Sequence, residues 1–154
     1  MSLFKKVIKK LISKGITISV AESCTGGLLS YKIANVPGVS KIYYLGLVIY
    51  SNKSKSSMLN ISSKLITKYG SVSSQIAKLI LHNLHKKTKS QLCICTTGIA
   101  GPSGGTKNKP VGLVFIGIKY QNKDIIIKKK YNGIRNQIQK KTVQDIFKKI
   151  DTLI

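Results

Sequence analysis

The chain has 154 residues, of which 42% are apolar. That is enough to fill the core of one ordinary domain without disulfides or metal, and it excludes a disordered tail. Lys and Arg total 27 against four acids, a formal charge of +23, yet no run approaches the ~18 apolar residues of a membrane span.

In chain order, residues 3–14 place Leu3, Val7, Ile8, Leu11 and Ile12 on one face and end at Gly15, predicting an amphipathic helix. Ile16–Ala21 reads as a strand that breaks into Glu22-Ser23-Cys24-Thr25-Gly26-Gly27. A helix over Leu28–Ala34 follows, then a turn at 35–38. Lys41–Tyr50 is β-branched and aromatic, a second strand. Short helices at 51–59 and 62–69 come next, and then a long helix to Lys87 capped by Ser73. Gln91–Thr96 is a third, fully buried strand. After the glycine-rich segment 97–110, residues 111–120 and 124–131 form a hairpin, and a helix from Arg135 to Ile150 closes the chain. Strands interleaved with helices, plus one hairpin, predict a single α/β domain over residues 1–154. Its architecture is a three-layer α/β/α sandwich around a mixed sheet.

The charge alone points to nucleic acid or an anionic surface. Its make-up argues otherwise, because every basic residue but Arg135 is Lys, and the lysines run from Lys5 to Lys149. Proteins that grip phosphate or read guanine recruit the bidentate Arg fork. Abundant Lys, Ile and Asn instead suit an AT-rich genome, and nucleic acid is not the expected partner. Against that background Glu22, the only Glu, and Arg135, the only Arg, stand out.

Cys24, Cys93 and Cys95 show no pairing pattern, which fits a reducing, cytoplasmic setting. Cys93 and Cys95 fall on one side of a strand as small hydrophobes, and no second Cys/His pair sits at ligand spacing, so no metal is expected. His82 and His85 fall within the long helix, away from any strand end. The N-terminal segment is interrupted by lysines and lacks the apolar stretch of a signal peptide.

In α/β sheets, ligands bind beyond the carboxyl ends of strands. Three segments qualify. In 21–27, Ser23 would sit beside free backbone N–H groups at a helix start, where an oxyanion or phosphate can be held. Capping by Ser23 or Thr25 is the plainer alternative, and Glu22 fits either a function or a needed buried bond. In 50–55, Lys55 lies one turn into a helix and could reach back to the loop. A serine needs a base, and a lysine base must be neutral, which the surrounding positive charge would favour. In 96–112 the loop carrying Gly98, Gly101, Gly104 and Gly105 can bring its backbone against a ligand, although it is neither a Walker loop nor GxGxxG.

Taken together, AESCTGG at 21–27, YSNxxK at 50–55 and TGIAGPxGGT with KPVG at 97–112 resemble the carboxy-terminal domain of the CinA proteins. VPGVS at 36–40 and YGSVS at 69–73 match as well, in the right order and over nearly the whole chain. That family includes stand-alone nicotinamide-nucleotide amidohydrolases. The resemblance implies a dimeric, metal- and cofactor-free enzyme that hydrolyses nicotinamide mononucleotide to nicotinate mononucleotide and ammonia.

It further implies Ser23 as nucleophile, Lys55 as its base and Tyr50 as an aid to proton transfer. Substrate contacts are expected from Glu22, Cys24, Thr25, Gly26, Gly27 and Asn52, and from Thr97, Gly98, Gly101, Gly104 and Gly105. The glycine-rich loop and Arg135 are candidates for the ribose-phosphate end. The sequence departs from the family at Ile134, where GDR carries Asp, and at Ser74, where an acid is usual. A binding module of the same fold without catalysis, or a basic nucleic-acid-associated protein, are the alternatives.

Overall fold

The computed structural model describes residues Met1–Ile154. It contains α1 (Leu3–Lys14), β1 (Ile18–Glu22), α2 (Leu28–Ala34), β2 (Tyr43–Val48), α3 (Asn52–Leu59), α4 (Ser63–Tyr69), α5 (Ser74–Thr88), β3 (Leu92–Gly98), β4 (Leu113–Tyr120), β5 (Lys123–Lys130) and α6 (Arg135–Leu153). One five-stranded sheet runs in the order β2-β1-β3-β4-β5. Strands β1, β2 and β3 are parallel, and β4 and β5 each lie antiparallel to the strand before them.

The sheet is mixed and covered on both faces, as its sequence pattern predicts. Residues of β1 and β3 alternate between two cores because both faces of a central strand are buried. Ile18, Val20, Leu92 and Ile94 join α1, α2 and α6 through Val7, Leu11, Leu29, Ile146 and Phe147. Ala21, Cys93 and Cys95 face α3, α4 and α5 through Leu59, Ile66, Ile76 and Ile80. Burial of each large aliphatic side chain stabilises the fold by about 1.5–3 kcal/mol, and the two cores share the load across the sheet. Cys93 and Cys95 are indeed buried, and Cys95 Sγ donates to Ala77 O at 3.3 Å.

Element ends show where sequence pattern falls short. β2 begins at Tyr43 rather than Lys41, because Gly38 (φ +88°) turns the chain into a 3-10 turn at Val39–Lys41. The Ile42 carbonyl then accepts the Ile18 N–H and starts the pairing. β1 starts two residues later than the apolar run, and β3 extends to Gly98 through its pairing with β4. The hairpin closes on two residues, with Tyr120 opposite Lys123 and Gln121 at φ +55°. Ser73 caps α5 as expected, accepting the Ile76 N–H at 3.2 Å. No helix is long and apolar enough to cross a membrane.

The topology fixes where chemistry can occur. Because β1, β2 and β3 are parallel, the segments after Glu22, Val48 and Gly98 all emerge at one edge of the sheet. β5 runs parallel to β3, so Gly133–Arg135 reaches the same edge.

Candidate active site

Three chain segments and the start of α6 therefore meet around Ser23. Its N–H donates to Thr96 O and Thr96 Oγ1, both at 3.2 Å, which fastens the turn after β1 to the end of β3. Lys55 is reached from β2. Ser51 caps α3 by accepting the Ser54 N–H at 3.0 Å, and one turn on, the Lys55 side chain folds back under the loop. It is only 1% exposed. Its Nζ lies 3.0 Å from Ile49 O, 3.2 Å from Tyr50 O and 3.3 Å from Ser23 Oγ.

That geometry suits a neutral amine. Two hydrogens go to the two carbonyls, and the lone pair is left facing the serine hydroxyl. Burial, which penalises the charged form, pulls the Lys55 pKa below its ordinary value, with the Cys24 thiol opposing. The shift thus comes from desolvation, not from the field of surface lysines that the composition suggested.

The turn itself is held by Glu22, which is fully buried. Oε1 accepts from Thr25 Oγ1 at 2.7 Å and Leu29 N at 2.8 Å. Oε2 accepts from Ser30 N at 2.9 Å and Ser30 Oγ at 2.7 Å. A carboxylate with four donors and a helix start in front of it is a built structural cap. Glu22 is therefore not free for substrate, and the buried-bond alternative is the one the geometry supports.

Thr25 is likewise committed, to Glu22 and to Thr96 Oγ1 at 2.9 Å. Thr97 Oγ1 donates to Ser71 O at 2.7 Å and is buried. Cys24 turns its side chain into the core, where burial pushes the thiol up to about 12, and only its backbone faces the turn. Asn52 is exposed and borders a separate groove, lined by α3 and α4, with Lys53, Ser63 and Thr67. The side chains of these five are engaged within the fold or border another groove, while the backbone N–H groups of Cys24 and Thr25 stay open at the turn.

Gly26 and Gly27, at φ +57° and +102°, turn the chain into α2. The Cys24 and Thr25 N–H groups find no acceptor within the chain, whereas the Gly26 N–H is taken by Ser23 O. Gly98, Gly101 and Gly104 line a cleft of about 440 Å³, together with Tyr50 and Arg135. Gly105 instead packs on the Val111 backbone, where a Cβ would lie 2.8 Å from Val111 N.

Tyr50 touches the Ser–Lys pair through its carbonyl, not its hydroxyl. The hydroxyl accepts from Arg135 Nη2. Arg135 also donates from Nη1 to Gly101 O at 2.6 Å and forms a wall between the cleft and a second hollow of about 550 Å³.

Two supporting residues escaped the sequence reading. Thr96 bonds both Ser23 and Thr25, and its place at the end of a strand was the available signal. Gln139 Nε2 donates to Cys24 O at 2.9 Å across 115 positions, and nothing in the sequence marks it. His82 is exposed, and His85 Nδ1 sits 3.1 Å from Ser90 O, so neither enters the site.

The fold and this edge define an α/β/α domain with a buried serine–lysine contact beside a glycine-rich cleft. The CinA C-terminal domain matches residues 1–154, and the chain belongs to that family. It is 44% identical over 138 residues to the CinA-like protein of Dictyoglomus turgidum and 45% over 130 residues to that of Fusobacterium nucleatum. Those matches cover 90% and 84% of the chain. They take in 34% and 31% of the relatives, so the chain spans about a third of their length.

Among solved structures, a competence/damage inducible protein CihA from Agrobacterium tumefaciens is 31% identical with a TM-score of 0.91. The match covers 99% of this chain and 96% of that one. A CinA superfamily protein from Escherichia coli has a TM-score of 0.92 at 23% identity, covering 99% and 88% of the two chains, and shares the fold.

Proposed function

We propose that the domain hydrolyses the carboxamide of nicotinamide mononucleotide to nicotinate mononucleotide and ammonia. The observation that carries this reading is the buried Lys55 Nζ, 3.3 Å from Ser23 Oγ with two backbone carbonyls taking its other bonds. Ser23 Oγ attacks the amide carbon as its proton passes to Lys55. The carbonyl oxygen becomes an oxyanion, and the Cys24 and Thr25 N–H groups are the donors available to it. Lys55 then returns the proton to the nitrogen and ammonia leaves, which forms an ester between Ser23 and the nicotinoyl group. Water, deprotonated by Lys55, cleaves that ester and restores both residues. Tyr50, whose hydroxyl is bound to Arg135, serves this scheme through its carbonyl and as a wall of the cleft.

The test is ammonia release from nicotinamide mononucleotide by the wild type and by Ser23→Ala. Loss of turnover in the variant, with the nucleotide still bound, supports the covalent route. Full turnover in Ser23→Ala overturns it. A wild type that binds the nucleotide but releases no ammonia makes the domain a binding module.

The homodimer implied by the resemblance belongs to the same proposal. β2 is an edge strand without a charged residue, and it exposes Tyr44 and Val48. The opposite edge, β5, carries Lys123, Lys128, Lys129 and Lys130. Lysines discourage edge pairing, so β2 is the edge open to a second copy. Sedimentation of the wild type against Tyr44→Lys reads this directly.

A further inference from the structure

The cleft beside the serine holds a second fixed cation. Lys109 lies on its wall, half-buried, and its Nζ donates to Tyr69 O at 2.7 Å. Two features seat it there. Thr106 and Lys109 close a tight loop, with Thr106 N–H on Lys109 O at 2.8 Å and Lys109 N–H on Thr106 Oγ1 at 3.1 Å. Gly70, at φ +76°, leaves the space that the ammonium fills, because a Cβ there would lie 2.5 Å from Nζ. Lys107, two residues earlier in the same loop, is exposed and has no such seat.

One of the three N–H donors of Lys109 is used on Tyr69, and two remain. Arg135, the other cation on this cleft, is fixed by Gly101 and Tyr50 and also retains unused donors. No carboxylate lines the cleft. Glu22 is sealed beneath α2, and Asp124, Asp145 and Asp151 pair with lysines elsewhere. Two immobilised cations with free donors, beside a loop whose glycines leave the backbone approachable, form an uncompensated anion site. An Arg fork and a Lys point charge together suit the oxygens of a phosphomonoester.

We infer that Lys109 and Arg135 bind the 5′-phosphate of the substrate, and that Lys109 sets the preference for a nucleotide over its nucleoside. The assignment rests on the amidohydrolase reading for the identity of the substrate, but the anion site itself does not. Tyr50 links the two ends of the site, since its carbonyl touches Lys55 and its hydroxyl touches Arg135.

The experiment uses the full chain as wild type, Lys109→Gln and Lys107→Gln. Glutamine at 109 removes the charge and, one atom shorter, still offers an amide donor toward Tyr69 O. Inorganic phosphate binding is followed by calorimetry. Ammonia release is measured with nicotinamide mononucleotide and with nicotinamide riboside. Loss of one charge-assisted contact raises KM for the nucleotide by roughly 10–100-fold in Lys109→Gln. It leaves kcat and the riboside kinetics unchanged and weakens phosphate binding by a similar factor, while Lys107→Gln behaves as wild type.

Equal phosphate binding by wild type and Lys109→Gln overturns the inference. So does a KM change that is the same for nucleotide and riboside. Lys109-dependent phosphate binding without any ammonia release would leave the anion site standing and remove the amidohydrolase reading. Ammonia release indifferent to Lys109 would do the reverse.

Discussion

Ile134 offers a direct measure of how helix capping acts in this fold. It is the N-cap of α6, 65% exposed, and its side chain makes no capping bond. Half of a capping box is nonetheless present, since Gln137 Oε1 accepts the Ile134 N–H at 3.0 Å. The reciprocal bond, from an oxygen at 134 to the N–H of Gln137, is missing because isoleucine has none to give.

Ile134→Asp supplies that oxygen, worth about 1 kcal/mol, and an anion at the helix start, worth about 0.3–1 kcal/mol. Against this stands the lost burial of a side chain mostly in water already, roughly a third of the ~2–3 kcal/mol of a fully buried Ile. The net gain is about 1 kcal/mol. For a domain of this size that raises Tm by about 2–4 °C in a calorimetric scan. Ile134→Asn separates the hydrogen bond from the charge, and only the Asp–Asn difference should shrink in salt. Ammonia release should not change, because Arg135 is oriented by Gly101 and Tyr50 and not by residue 134. An unchanged or lower Tm in both variants would refute this account of the helix start.

Three further predictions concern the buried ionisable groups. Under the proposed mechanism only a neutral Lys55 can take the serine proton, so ammonia release should fall about tenfold per pH unit on its acid limb, with a midpoint below 10.5. The same shift links to stability. The unfolded chain binds the proton more tightly, so stability rises with pH between the folded pKa and 10.5, by about 1.4 kcal/mol per unit inside that window, and is flat below it. Subtracting the urea-unfolding profile of Lys55→Met cancels the surface lysines, and identical pH slopes would contradict a depressed Lys55. Glu22→Gln should destabilise by about 1–3 kcal/mol. An amide turns a donor toward groups that are already donors, and Glu22→Ala should cost more because all four are left bare. Equal urea midpoints for wild type and Glu22→Gln would count against the cap.

Much of this was readable in the sequence, for a physical reason. Strand–loop–helix boundaries are local, so Ser23 and Lys55 could each be placed at a strand end, and parallel strands carry such ends to one edge. Gly15, Ser51 and Ser73 marked helix termini through chemistry within a few residues. Contacts across the fold were not readable. The bond from Gln139 to Cys24 depends on how α6 lies over the turn, and Lys109 gains its seat only because Tyr69–Gly70 passes beside it. Glu22 was conspicuous by its rarity, but its use as a cap depends on the path of α2. Which atom of Tyr50 would meet Lys55 was equally beyond the reach of the sequence. The backbone carbonyl meets the lysine while the hydroxyl crosses to Arg135.

The charge of +23 also makes a prediction about the solvent. Unit charges about 10 Å apart repel by roughly 0.4 kcal/mol in water, and many lysine pairs contribute. The opposing attractions are few. Four surface ion pairs involve three aspartates, and exposed pairs contribute about 0–1 kcal/mol each. Sodium chloride screens both, so repulsion is the larger loss and Tm should rise with salt. A Tm that falls would mean that the ion pairs outweigh the net charge.

Phosphate at matched ionic strength then separates the surface from the site. Screening, and the general exclusion of phosphate from protein surfaces, act alike on wild type and Lys109→Gln. An ion seated between Lys109 and Arg135 stabilises only the chain that binds it. The excess stabilisation by phosphate over chloride should therefore shrink in Lys109→Gln, while the chloride response stays the same.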